Sequence, residues 1–199
     1  MVLVLLSLVA LGRGRAGQGD SAVYLVGRES RLEAHVGKAG VLGFAGHEHL
    51  VRARAVRGRV VYRPTTPGGS RVEIIVRADS LEVLTPPDPT ERRRVTAVMQ
   101  AEVLAVSEHR EITFVSQRVI PTIGGYRVQG VLTLAGVSRD VATDVAVRIT
   151  EDSLRASGTF SVKQTDFGIK LVQAGAGTVR VADRVTITFA VDAARLTLP

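Results

Sequence analysis

The chain has 199 residues, a formal net charge of +7 and a sequence pI near 10.7, and this length suits one domain that buries most of its unfolded surface. The absence of Cys excludes disulfides and thiolate metal sites, and three Tyr, five Phe and no Trp are too few for a protein that stacks single-stranded bases. Because the basic residues are nearly all Arg in a chain rich in Ala, Val and Gly, GC-rich coding can account for the charge without a nucleic-acid partner. An anionic membrane surface and an acidic ligand headgroup are the alternative partners that the charge allows.

Residues 1–22 have the pattern of a signal peptide. An apolar run over residues 2–11 has about the length of a secretory h-region and is too short to cross a bilayer as a helix. Small residues follow, with cleavage after Ala16 or Ala22 as the alternatives. No Lys or Arg precedes the run, so an upstream start or an uncleaved anchor stays open. We expect export to the periplasm or the medium, with residues 23–199 as the mature domain.

The first half of the mature chain alternates apolar and polar residues, as half-buried β-strands do. In residues 30–36, Leu32, Ala34 and Val36 fall on one face and charged residues or His35 on the other. The same alternation recurs in residues 23–26, 51–55, 58–62 and 71–78.

One segment breaks this period of two. Asp88-Pro89-Thr90-Glu91 has an acidic capping residue, Pro at the first helical position and Glu at the third, which predicts a helix start. Val95, Val98 and Met99 then recur at helical spacing. Because only one apolar stripe is present, we expect this helix, which ends near residue 105, to pack outside the sheet or to plug one end of it.

A hairpin over residues 111–135 is the clearest element. Two alternating segments meet at Gly124-Gly125, and Pro121 falls in the predicted connection. Three further strands follow, over residues 141–150, 154–163 and 185–192. About eight antiparallel strands and one helix give an all-β fold, which is either a sandwich or a barrel.

Many of the inward positions are small. Ala53, Gly58, Gly130, Ala156 and Gly158 are examples, and few bulky aromatic residues accompany them. A closed barrel of about eight strands can be filled by its own side chains or can hold one small ligand. Small inward residues favour an elongated apolar cavity, although they also ease strand twist and tight sheet packing.

Several motifs together resemble those of the YceI-like family. They are Glu111-Ile112-Thr113-Phe114-Val115-Ser116, the segment Gly130-Val131-Leu132-Thr133-Leu134-Ala135-Gly136-Val137, and Gln164-Thr165-Asp166-Phe167-Gly168-Ile169-Lys170. The resemblance covers roughly residues 23–193, with His109-Arg110 in place of the family's common Tyr-Pro. It implies an antiparallel eight-stranded lipocalin-like barrel that binds a polyisoprenoid or a related long-chain lipid, without chemistry and without a cofactor.

On this interpretation the ligand contacts inward apolar side chains. The predicted ligand-binding residues are Leu32, Phe44, Val60, Ile74, Phe114, Tyr126, Val128, Leu132, Val145, Phe160, Phe167, Ile187 and Phe189. The sequence has no paired acid and base around Asp166, so we interpret Thr165-Asp166-Phe167-Gly168 as a strand end and predict no catalytic residue. The sequence is also compatible with a peripheral contact with the membrane and with a homodimer.

The segment His47-Glu48-His49 carries the alternative function. Alternate residues of a strand share a face, so His47 and His49 could meet one metal ion, with His35, His109 or an acidic residue as a third ligand. This would make the protein a metal carrier or a metal-dependent enzyme. The other interpretations are hydrogen-bonding histidines at the barrel mouth, or a contact to a ligand headgroup.

Overall fold

The computed structural model describes residues 21–39, 48–174 and 179–197 of the chain. The predicted signal peptide therefore lies outside the described residues, apart from its last two positions. The strands are β1 (Ala22–Val26), β2 (Arg31–Ala39), β3 (His49–Ala53), β4 (Val56–Tyr62), β5 (Arg71–Arg77), β6 (Leu81–Val83), β7 (Glu111–Thr122), β8 (Gly125–Leu134), β9 (Val137–Ile149), β10 (Ser153–Lys163), β11 (Gln173–Ala174) and β12 (Val179–Arg195).

The strands close into an antiparallel barrel with eight strand positions around its wall, and each strand position pairs with the next one along the chain. Three of the eight positions are interrupted strands, namely β1 with β2, β3 with β4, and β5 with β6. The other five are β7, β8, β9, β10 and β12. The ring closes because β12 pairs with β10 along one edge and with β1 and β2 along the other. The predicted all-β class and eight-stranded lipocalin-like barrel are thus confirmed, and the sandwich alternative is wrong.

Serine hydroxyls replace backbone partners where the strands are interrupted. Between β1 and β2, the Oγ of Ser30 donates to the carbonyl of Asp192 (3.2 Å) and accepts from its N–H (3.1 Å). After β3, the N–H of Ala55 donates to the Oγ of Ser80 (3.0 Å). Irregularities of this kind let strands bend as closure of a small barrel requires.

The β7–β8 hairpin turns where the sequence predicts. Gly124 has a φ of +88°, which a residue with a Cβ adopts only under strain. Pro121, however, lies inside β7 opposite Tyr126 and not in the connection. Pro121 is tolerated because β5 pairs only with residues 111–115 of β7. On the β5 side, the later part of β7 therefore has no strand ladder that the missing N–H of Pro121 could interrupt.

The predicted helix is present as α1 (Pro89–Val98), followed by a π-helical turn at Met99–Val103. Asp88 caps it as predicted, with its carboxylate accepting from the N–H of Glu91 (2.7 Å). Val95, Val98 and Met99 face the barrel interior, so α1 plugs one end of the barrel. Within the described ranges no helix has the length and apolar character that crossing a bilayer needs.

Buried clusters occupy both ends of the barrel. Leu104, Leu132, Phe167 and Ile169 pack together at the α1 end. The opposite end holds a cluster of Tyr24, Val60, Leu154 and Ala193. A third cluster, formed by Val119, Val128 and Val145, lies on β7, β8 and β9, and the side chains leave a cavity inside the barrel.

Candidate ligand-binding cavity

An internal cavity of about 730 Å³ occupies the barrel between its two ends. This volume lies within the range of roughly 300–1,000 Å³ that small-molecule sites occupy. The wall consists mainly of Val, Leu, Ile and Phe side chains. They come from alternate positions of the strands, so one face of each strand lines the cavity and the other meets solvent.

Most of the predicted ligand-binding residues lie on this wall. They are Leu32, Val60, Ile74, Phe114, Tyr126, Val128, Leu132, Val145, Phe160, Ile187 and Phe189. Their spacing of two along each strand is what brings them to the same side. That they contact a ligand stays a prediction.

The two other predicted residues have different outcomes. Phe44 lies outside the described residues. Phe167 is 2% exposed and packs with Leu104 and Ile169 outside the cavity wall, so its assignment to the wall was wrong. It belongs to a 3₁₀ turn, Gln164–Phe167, that ends at Gly168 with a φ of +72°, and therefore does not follow the strand period.

The carboxylate that fixes this turn comes from β12. Asp183 accepts from the N–H of Thr165 (3.0 Å) and from its hydroxyl (2.9 Å). The hydrogen bond from the Thr165 N–H is the main cause that lowers the pKa of Asp183. Asp166 has no such hydrogen bond with a described residue, so the carboxylate that holds the turn is that of Asp183 and not that of Asp166.

Other wall residues were missed although a signal for them exists. Tyr62 continues the alternation of Gly58 and Val60, and it lines the cavity. Val98 and Met99 of the helix end also face the cavity, since the stripe that predicts the helix is the surface that closes the barrel. Which side of a lone helix meets the cavity cannot be read from its periodicity alone.

Two glycines expected to leave open space are covered by aromatic rings. A Cβ on Gly130 would lie 2.8 Å from Cζ of Phe114, and one on Gly158 would lie 2.7 Å from Cζ of Phe189. Each ring thus lies over the glycine of a neighbouring strand, an arrangement known from aromatic residues that shield glycine in sheets. The rings occupy part of the interior, and the cavity is what remains between them.

The side chains of Tyr62 and Tyr126 form a polar pair on the wall. Their hydroxyl oxygens are 3.1 Å apart, and the rings meet edge to face with centroids separated by 6.4 Å. Burial, together with this hydrogen bond, raises the pKa of Tyr126 to about 12. The Tyr126 phenol therefore stays protonated at neutral pH.

The cavity meets the surface beside α1. Of the wall residues, Arg94 on α1 is exposed and Val172, which precedes β11, is 43% exposed. Arg94 has no hydrogen bond or ion pair with a described residue. The wall near this mouth also includes His49, whose Nδ1 lies 3.2 Å from the carbonyl oxygen of Thr85.

The histidines do not gather around one point in the described part of the chain. His49 faces the cavity, whereas His35 is exposed on the outer face of β2. The ring of His109 covers Gly136 at the β8–β9 turn, where an added Cβ would lie 2.5 Å from its Cε1. In residues 21–39, 48–174 and 179–197 no three His, Cys, Asp or Glu could hold a metal together. His47 lies outside those ranges, so the pairing of His47 with His49 stays a prediction.

The sequence of residues 26–193 matches the model of the YceI-like domain family. The match spans the barrel from the end of β1 to the C-terminal part of β12. No curated protein sequence matches the chain.

Solved structures share this fold at low sequence identity. BcnA of Burkholderia cenocepacia superposes with a TM-score of 0.64 at 19% identity, covering 82% of this chain and 95% of that one. A polyisoprenoid binding domain from Saccharophagus degradans, implicated in plant cell wall breakdown, gives 0.59 at 13% identity over 87% and 98%. The YCEI protein of Campylobacter jejuni gives 0.57 at 15% identity over 74% and 85%.

Proposed function

The chain belongs to the YceI-like domain family, and from that premise we propose that it binds a polyisoprenoid or a similar long-chain apolar molecule inside its barrel. The observation that carries the proposal is the apolar cavity of about 730 Å³ that runs between the barrel ends. The Saccharophagus degradans domain of the same fold, described as polyisoprenoid binding, supports this class of ligand.

Burial of apolar surface supplies the affinity. Each methylene group that leaves water contributes about 0.8 kcal/mol, so a long chain can bind tightly with few polar contacts. A wall of Val, Leu, Ile and Phe offers no directional contact along most of its length, so it suits a hydrocarbon chain. The lining residues therefore act by contact and not by chemistry, and we assign the protein to binding and not to catalysis.

Mass spectrometry of an organic extract of the purified protein tests the proposal. We expect a long-chain lipid at a stoichiometry near one, or uptake of an added isoprenoid when the protein is first stripped of lipid. Extracts without lipid, combined with no uptake of added isoprenoid, would refute it.

We further propose that the protein is exported and works in the periplasm or outside the cell. The apolar run in residues 2–11 with small residues behind it supports this location. Cell fractionation and N-terminal sequencing of the protein test it, with a mature N-terminus after Ala16 or Ala22 as the expected result. Recovery of the chain from the cytoplasm with its first residues intact would contradict export.

A further inference from the structure

We propose that the ligand ends in a neutral oxygen acceptor, a carbonyl or a hydroxyl, and that this oxygen binds the hydroxyl pair of Tyr62 and Tyr126. The inference rests on the proposed function and adds the chemistry and the orientation of the ligand. The apolar chain would then extend from this pair toward α1 and the mouth of the cavity.

The two hydroxyls of the pair have more hydrogen-bond capacity than their mutual bond uses. Each tyrosine hydroxyl can donate once and accept as well, and one hydroxyl donates to the other across 3.1 Å. The accepting hydroxyl keeps its own O–H proton, and neither hydroxyl has another partner among the described residues. One O–H donor is therefore left to serve a molecule in the cavity.

The apolar surroundings of this donor make it important for ligand selection. Tyr62 and Tyr126 line the cavity beside Val72, Val119 and Val128. An O–H group beside an apolar guest that offers no acceptor loses its hydrogen bond to water and gains nothing in return. A guest with an oxygen at this point avoids that loss, so the pair discriminates between ligands of equal apolar length.

The acceptor is neutral because, on the described cavity wall, no Lys or Arg lies at the barrel end that holds the pair. Arg94 is the one Lys or Arg on the described cavity wall, and it lies on α1. Tyr126 opens β8, whereas Leu134 at the other end of the same strand packs in the cluster at the α1 end. The pair thus lies at the barrel end opposite Arg94, where an unpaired carboxylate or phosphate would be buried without a cation.

The test compares two ligands that differ only at one carbon. Phytone, a saturated isoprenoid methyl ketone, and the hydrocarbon of the same carbon skeleton each displace the neutral fluorescent probe N-phenyl-1-naphthylamine. Wild-type protein is expected to bind the ketone more tightly than the hydrocarbon. In the double variant Tyr62→Phe/Tyr126→Phe the ratio of the two affinities should fall about fivefold, the effect of one neutral hydrogen bond. Both substitutions are needed because either hydroxyl left alone still has a free proton.

Tyr24→Phe is the matched control. Tyr24 is the third tyrosine of the chain, 2% exposed and outside the cavity wall, with its hydroxyl 3.3 Å from the carbonyl of Thr150. Its replacement should leave the ratio of affinities as in wild type. An unchanged ratio in the folded double variant, or equal affinity of wild type for both ligands, would overturn the inference.

A spectroscopic readout keeps the test valid if the double variant fails to fold. The chain has three Tyr and no Trp, so the part of its near-UV spectrum at longer wavelength than the absorption of its five Phe reports on tyrosine alone. The ketone should shift the tyrosine absorption of wild-type and Tyr24→Phe protein, and the hydrocarbon should not. Identical spectra with both ligands would overturn the inference. If neither ligand displaces the probe from wild type, the proposed lipid binding fails as well.

Discussion

Filling the cavity should weaken lipid binding without weakening the fold, and Ala156→Leu is the substitution that tests this. Ala156 lies on the cavity wall in β10, so three added carbons would occupy space that the ligand otherwise takes. If they displace three ligand methylenes at about 0.8 kcal/mol each, the loss is about 2.4 kcal/mol, or about 50-fold in affinity. The ligand-free protein should be as stable as wild type or more stable, because apolar atoms enter an empty apolar space.

Ala146→Leu is the control for this experiment. Ala146 is exposed on β9, a strand that neighbours β10, and it is not part of the wall. Displacement of a neutral fluorescent probe by an isoprenoid gives the affinities, and thermal unfolding of the stripped proteins gives the stabilities. Equal affinity of the two variants would refute the assignment of the cavity as the lipid site. A large drop in the melting temperature of Ala156→Leu alone would show that the interior is already filled.

Further substitutions test the elements that shape the barrel. Gly130→Ala should destabilise the protein by about 1–3 kcal/mol in a urea titration, because the new Cβ would lie 2.8 Å from the Phe114 ring and closer still to the Val115 carbonyl. Gly37→Ala is the control: its Cβ would meet only Ala182, at 3.5 Å, so its stability should be close to that of wild type. Asp88→Ala removes the cap of α1 and should cost about 1 kcal/mol, seen as a melting temperature about 2–4 °C lower, while Asp88→Asn should keep most of the stability. Tyr126 has a pKa of about 12 in the fold against 10.0 ordinarily, so the stability that its protonated form contributes is complete below pH 10 and is lost as the pH rises through 12. Thermal melts across this range should therefore show a smaller fall of the melting temperature with pH in Tyr126→Phe than in wild type. An identical fall in both proteins would contradict the raised pKa of Tyr126.

The strands and their faces were predictable because both depend on local chain geometry. Successive side chains of a strand point to opposite faces, so Leu32, Val60, Phe114 and Ile187 could be assigned to the interior from spacing alone. The cap at Asp88 was predictable for the same reason, since it joins residues three apart. The assignment of Phe167 failed where the period of the strand gives way to a 3₁₀ turn.

The polar pair on the wall shows where local pattern stops being informative. Tyr126 was predicted to face inward, and Tyr62 belongs to an alternating series as clear as any other in the chain. Their hydroxyls meet across 3.1 Å only because β4 and β8 approach from different parts of the barrel, separated by 64 positions. A contact of this kind depends on barrel curvature, which no segment encodes by itself.

The amino-acid sequence by itself determined the all-β character, the alternating faces, the capped helix and, through its motifs, the family. Only the tertiary structure decided that β12 pairs with β1 to close the ring, that α1 plugs one end, and that about 730 Å³ stays open inside. The physical reason is that periodicity is set by neighbouring residues, whereas a cavity is the difference between the space a closed sheet encloses and the side chains that enter it. The volume of the cavity depends on aromatic rings such as those of Phe114 and Phe189, which lie over glycines of other strands. These contacts form only when all eight strand positions are in place.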